Sequence, residues 1–272
     1  MNPHQRATSS GASFLSDSSQ SVLERLDHDM SEMASEQTFG VSEQFVLACR
    51  LLADEGHARS LAGQVTMRAE QEGTFWTNAF SAGLAEACKS NMVRIDHEMN
   101  VLEGKGPPNP GVRFHLWIYS KRPALQSIVH THPPFASALS MTGKTLKIAH
   151  MDATMFYDDC AFLADWPGVP VANEEGRIIS EALGTKRTIL LSHHGILTTG
   201  TSLTEALYLA IHLERACEMQ MRASAVGEVQ SILPALATEA HAFMSKPSMM
   251  SATVNYWFRQ IAKRHPDALS DI

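Results

Sequence analysis

An apolar run that ends in two histidines one residue apart narrows the folds open to this chain more than any other stretch. Ser127, Ile128, Val129, His130, Thr131 and His132 are followed by Pro133 and Pro134. Ile128 and Val129 are β-branched and favour an extended backbone, whereas consecutive prolines cannot donate to a ladder and so end it. Strand side chains alternate between faces, which sends His130 and His132 to the same face at the strand's C-terminal mouth. Two imidazoles on one face can share a metal ion. A second run, Thr188, Ile189, Leu190 and Leu191, leads through Ser192 to His193 and His194 before Gly195, again a strand ending in histidine and a turn. Two such strands can supply three neutral imidazoles and leave a metal one open position for chemistry. A single histidine is more often a satisfied structural residue than a ligand, and His-x-His alone is a weak metal signal.

At 272 residues and 44% hydrophobic composition the chain can bury an ample core. Its formal net charge is -7 and its sequence pI is near 6.0. With no long basic run, that balance argues against nucleic acid or an anionic membrane as partner and favours a small molecule. Cys49, Cys88, Cys160 and Cys217 are scattered without close spacing, the pattern of reduced thiols in a cytoplasmic protein. No stretch approaches the ~20 apolar residues of a membrane span. The N-terminus lacks the apolar core of a secretory signal, so a cytoplasmic location is expected.

Residues 1–20 are rich in small and polar side chains and read as a flexible tail, leaving residues 21–272 as a single α/β domain. Val22, Leu23, Leu26, Met30 and Met33 recur at helical spacing, a short docking helix. Ser42 is positioned to cap a second helix whose buried stripe is Phe45, Val46, Cys49, Leu51 and Leu52. Val65 and Met67 then alternate with Thr66 and Arg68, and residues 75–78 read as the hairpin partner. Residues 91–102 add a further strand with a tight connection around Asn100. Between Lys105 and Gly111 prolines and glycines bar both helix and ladder, and this loop opens onto Arg113, Phe114 and His115. Residues 114–119 suit a buried helix, 135–141 a short helix, 145–150 a strand and 174–183 a helix. A long amphipathic helix over residues 204–226 and two more over 234–244 and 251–264 complete a helical C-terminal third.

Several separated motifs together resemble one family. His130, Thr131, His132 and Pro133, then His194 and Gly195, with Gly63, Gln64, Val65 and Thr66 upstream and the loop before Phe114 and His115, are similar in order to the class II aldolase/adducin family. The resemblance spans about residues 39–269. It implies an α/β/α sandwich around a largely antiparallel sheet, a divalent metal on His130, His132 and His194, and assembly as a homotetramer with sites at subunit interfaces. Zinc is the leading metal, with iron, manganese or cobalt as alternatives. His193 stands where the family often has Asn beside the ligand, which gives it a supporting or a purely structural role.

This sequence departs from the sugar-phosphate aldolases at two places. Gly111, four residues before His115, stands where those enzymes carry the acid/base Glu, and the neighbouring loop lacks their phosphate-holding serines. Gln64 replaces their usual Asn. A glycine can neither shuttle a proton nor accept a side-chain hydrogen bond. The losses are shared by adducin-like members, by decarboxylating relatives and by iron oxygenases of the NovR and CloR type. The expected function is a metal-dependent lyase, aldolase or decarboxylase, acting on a small oxo, hydroxy or hydroxyaromatic acid through a metal-stabilised enolate. An Fe(II) oxygenase and a non-catalytic interaction module are the alternatives. His115 is a candidate fourth ligand or general base and Tyr157 a candidate catalytic residue, placed where aldolases supply a tyrosine to a neighbouring subunit. Arg113 and Gln64 are candidates for holding the substrate, Arg113 by a bidentate grip on a carboxylate.

Overall fold

The computed structural model describes residues 18–35, 39–169 and 172–270. Of the tail expected over residues 1–20, residues 1–17 lie outside the described residues. The described strands are β1 (Gln64–Arg68), β2 (Thr74–Asn78), β3 (Met92–Asp96), β4 (Val101–Glu103), β5 (Ser127–Thr131), β6 (Cys160–Leu163), β7 (Thr188–Leu191) and β8 (Gly195–Gly200). They form one sheet in the order β4-β3-β2-β1-β5-β8-β7-β6. Only β6 and β7 run parallel; every other neighbouring pair is antiparallel. The helices are α1 (Ser19–Ser35), α2 (Val41–Asp54), α3 (Val112–Lys121), α4 (Pro134–Met141), α5 (Asn173–Leu183), α6 (Leu203–Ser224), α7 (Pro234–Met244) and α8 (Pro247–Arg264).

Alternation along the central strands sorts apolar side chains into two cores, one on each face of the sheet. Val65, Val129, Leu190 and Ile196 pack with Phe45 of α2, Leu139 of α4, Leu207 of α6 and Phe258 of α8. Ile128, Ile189, Leu191 and Leu197 pack instead with Phe114 and Ile118 of α3 and Ile179 and Leu183 of α5. The fold is therefore the α/β/α sandwich expected, and His130, one residue from Val129, faces the α3 side. Phe114 of α3 meets the His130 ring edge to face, with centroids 4.9 Å apart.

Three local expectations are corrected, and two strands add to them. Helix α2 starts at Val41, so Ser42 lies inside it; Gly40 is the cap, and its N–H donates to the Glu43 carboxylate at 2.9 Å. Residues 91–102 fold as two strands, β3 and β4, rather than one, joined by the tight connection expected around Asn100, where the Asp96 carboxylate accepts the N–H groups of Glu98 and Asn100. Residues 145–150 form no strand, because their backbone bonds run to a helix side chain. Gln220 of α6 accepts from Lys147 N at 2.6 Å and donates to Thr145 O at 3.1 Å. Strands β6 and β8 were not anticipated. Glycines at both ends of β8 depress its intrinsic propensity, and ladders to β5 and β7 on its two sides supply the order instead.

Candidate metal centre and its cavity

The ladder between β5 and β8 builds the histidine cluster. Thr131 pairs with Ile196, so His132, one residue past β5, comes opposite Gly195, one residue past His194. β7 and β8 are joined by a turn in which Leu191 pairs with Gly195, and His193 sits in the left-handed region at φ 57°. That conformation is uncommon outside glycine and reverses the chain within three residues. It leaves the His193 side chain exposed and turns His194 toward the other two histidines. Gly195 is required by close approach: a Cβ there would lie 2.4 Å from Thr131 O and 2.8 Å from His132 Cδ2.

One nitrogen from each of His130, His132 and His194 falls within 4.8 Å of the others. Ring centroids are 4.9 Å apart for His130 and His132, and 4.7 Å apart for His194 with either neighbour. His130 Nδ1 lies 2.7 Å from the carbonyl of Ile196, which can only accept, so Nδ1 carries the proton and Nε2 keeps its lone pair. That lone pair faces His132 Nε2 at 3.1 Å. Burial holds His130 well below the ordinary imidazole range, with His194 and His132 adding to the effect. Burial lowers His132 as well, and burial with the nearby His132 pushes His194 down to about 4. Three neutral imidazoles converging on one point fit a divalent ion with nitrogen ligands, and among the described residues these three form the ligand group.

The histidines open into a cavity of about 490 Å³. Its other polar lining is Ser60, Gln64 and Asn109, and its walls are Leu61, Ala62, Phe80, Pro110 and Val169. No acidic side chain, lysine or arginine among the described residues lines it. Gln64 is the direct ladder partner of His130 and reaches the cavity from β1.

Arg113, His115 and Tyr157 are not brought to this cavity within the described chain. Arg113 lines a separate hollow with His97, Glu98 and Trp117. His115 is fully buried between α3 and β1, its Nδ1 2.9 Å from Thr66 Oγ1 and its ring centroid 6.4 Å from that of His130. Burial pushes it down to about 3, so it is neutral, and its Nε2 has no partner. Tyr157 is half-buried and closes the short 3₁₀ turn Met151–Phe156.

Three residues of the neighbourhood were not singled out from the sequence. Asn109 belongs to the proline-rich loop, where its amide bonds Gly111 N and Leu61 O. His57 is buried, meets Thr131 Oγ1 at 2.9 Å through Nδ1, and accepts the His132 N–H on its carbonyl. Glu214 accepts the N–H groups of Phe135 and Ala136 at 2.8 and 2.7 Å and so caps α4 directly after the His132 turn. Only Glu214 left a signal: a carboxylate at helical spacing within the apolar stripe of Leu207, Ala210, Ile211 and Cys217.

Residues 43–221 match the family described as Class II Aldolase and Adducin N-terminal domain. The chain is 30% identical over 193 residues to the meiotically up-regulated gene 14 protein of Schizosaccharomyces pombe, covering 69% of this chain and 75% of that protein. It is 29% identical over 175 residues to Decarboxylase NovR of Streptomyces niveus, covering 63% of this chain and 65% of NovR, a little under two thirds of its length. Among solved structures it is similar to L-fuculose 1-phosphate aldolase from Glaciozyma antarctica PI12, with TM-score 0.81 and 28% identity over 89% of this chain and 99% of that one. The motif order, the sandwich, the histidine cluster and these matches agree, and the chain belongs to the class II aldolase and adducin family.

Proposed function

We propose that the protein is a metal-dependent carbon–carbon lyase of the decarboxylase or aldolase type, acting on a small oxo or hydroxy acid with an apolar or aromatic body. The observation that carries this reading is the convergence of three neutral imidazoles on an apolar-walled cavity that no carboxylate among the described residues lines. His130, His132 and His194 would hold the ion, zinc first, with iron, manganese or cobalt as alternatives. When bound, such an ion supplies Lewis acidity toward substrate oxygens and the negative charge that develops on bond cleavage. Phe80, Leu61 and Val169 surround the apolar body and exclude water from it. Gln64 and Asn109 orient its polar end.

Gly111 brings no base, and loss of carbon dioxide needs none for the bond-breaking step, so decarboxylation tolerates this site better than aldol cleavage does. His115 serves as a packing residue rather than a proton carrier, since its Nδ1 is committed to Thr66 and its ring does not line the cavity. Tyr157 is assigned to the site of a neighbouring copy in a homotetramer, where its hydroxyl can return a proton. A cytoplasmic setting accords with four free cysteines, and no helix among the described residues is long and apolar enough to cross a membrane. The name of NovR, a decarboxylase, supports the reaction class.

The test is anaerobic reconstitution with zinc or iron, then assay of a panel of 2-oxo acids and hydroxylated aromatic acids with and without oxygen. A lyase turns over equally under both atmospheres. Turnover confined to the iron form in oxygen would replace this reading with an oxygenase, and failure of every acid with metal bound would overturn it.

A further inference from the structure

The amide of Gln64 fills the space in which a side chain at residue 111 would stand. Gly111 has φ -64° and ψ -15°, angles open to any residue, so its backbone does not call for glycine. A Cβ there would nevertheless lie 1.9 Å from Gln64 Nε2.

The orientation of that amide follows from its neighbours. The N–H of Gly111 can only donate, so the Asn109 atom it meets at 2.9 Å is the oxygen. The same oxygen meets Gln64 at 3.2 Å, which requires Gln64 to present Nε2 there and to turn Oε1 away. The other half of the Asn109 amide agrees, since Nδ2 donates to Leu61 O at 3.3 Å. Gln64 is 5% exposed, and its Oε1 is buried with no partner. A buried acceptor left unpaired is costly unless a ligand donates to it. Gln64, Asn109 and Gly111 all line the cavity of the three histidines.

We propose that Gln64 and Gly111 act as one exclusive pair. The Gln64 amide, held by Asn109, occupies the volume that an acid/base side chain at position 111 would take and must swing aside, losing that bond, to admit one; in its place it offers an acceptor, Oε1, that selects ligands with a free hydroxyl. The favoured class is a 2-hydroxy acid with an apolar body. The proposal rests on the function proposed above for its ligand class, whereas the competition for one volume stands without it.

Two measurements test it. Melting temperatures of Gly111→Ala, Gln64→Ala and the double variant read the exclusion without any metal. Gly111→Ala is expected to lower the melting temperature by a few degrees in the natural background and to cost nothing once Gln64 is truncated; strictly additive losses would overturn the pairing. Calorimetric titration of the zinc-loaded protein with mandelate and with its methyl ether reads the acceptor. About tenfold tighter binding of mandelate is expected, falling to near parity in Gln64→Leu at equal zinc content. An undiminished ratio in Gln64→Leu, equal binding of both acids, or binding of neither by zinc-loaded protein would overturn the acceptor role. Failure to retain zinc at all would overturn the metal reading instead, with the melting data still deciding the pair.

Discussion

Replacing Gly195 with alanine adds one methyl group at the seam between β5 and β8, where the histidine cluster is assembled. Gly195 is not among the residues with positive φ, so the backbone itself accepts alanine. Free of contacts, the change would stabilise the strand by about 0.5–1 kcal/mol through the lost flexibility of glycine. The methyl would instead meet Thr131 O at 2.4 Å and His132 Cδ2 at 2.8 Å. Favourable contacts lie near about 3.5–4.0 Å, so relief needs a shift on the order of 1 Å. Backbone held in a ladder yields poorly, and overpacking of this kind costs about 1–3 kcal/mol. The net expectation is a loss of about 1–2 kcal/mol, or roughly 2–8 °C in melting temperature. Because His132 is what moves, zinc affinity measured by competition with a chromophoric chelator is expected to fall at least about tenfold. An unchanged or raised melting temperature with unaltered zinc affinity would refute the claim that close approach, rather than turn geometry, requires glycine here.

Other perturbations read different parts of the site. His130→Ala, His132→Ala and His194→Ala are each expected to abolish stoichiometric metal in elemental analysis while the far-ultraviolet dichroism stays native, and retention of metal in any of the three would remove that histidine from the ligand set. Glu214→Ala leaves the N–H groups of Phe135 and Ala136 unpaired and is expected to destabilise by about 2–4 kcal/mol in urea unfolding; a loss under about 0.5 kcal/mol would show that water replaces the cap. His57 and His115 are each pushed by burial down to about 3, below an unfolded value near 6.5. Between those limits the unfolded chain binds the extra protons. Stability is therefore full above pH 6.5 and falls as pH drops, by up to about 1.4 kcal/mol per pH unit for each histidine. His57→Asn is expected to flatten that slope between pH 6 and 4, and an unchanged slope would show that His57 is protonated in the native protein.

The local pattern of the chain determined its helices and the two histidine strands. Helical spacing of Phe45, Val46, Cys49 and Leu52, and of Leu207, Ala210 and Cys217, reflects a burial requirement that needs no partner to be recognised. His130 and His132 share a face because alternation in a strand is a property of the backbone itself. The absence of a carboxylate at Gly111 is likewise written in the residue type.

What only tertiary structure decided is how separated segments meet. Register between β5 and β8 sets His194 beside His132, and no local feature of either segment encodes that register. Arg113 and His115 follow the same loop in sequence, yet helix α3 turns one toward an outer hollow and buries the other against Thr66, since residues two apart on a helix point about 200° apart, to nearly opposite faces. Glu214 reaches α4 across the core, and the Gln64 amide fills the space before Gly111, through contacts between residues far apart in the chain. Alternation and periodicity are one-dimensional and can be read from the string of residues. The pairing of an acceptor with a donor, or of a missing side chain with the one that occupies its volume, exists only once the sheet has closed.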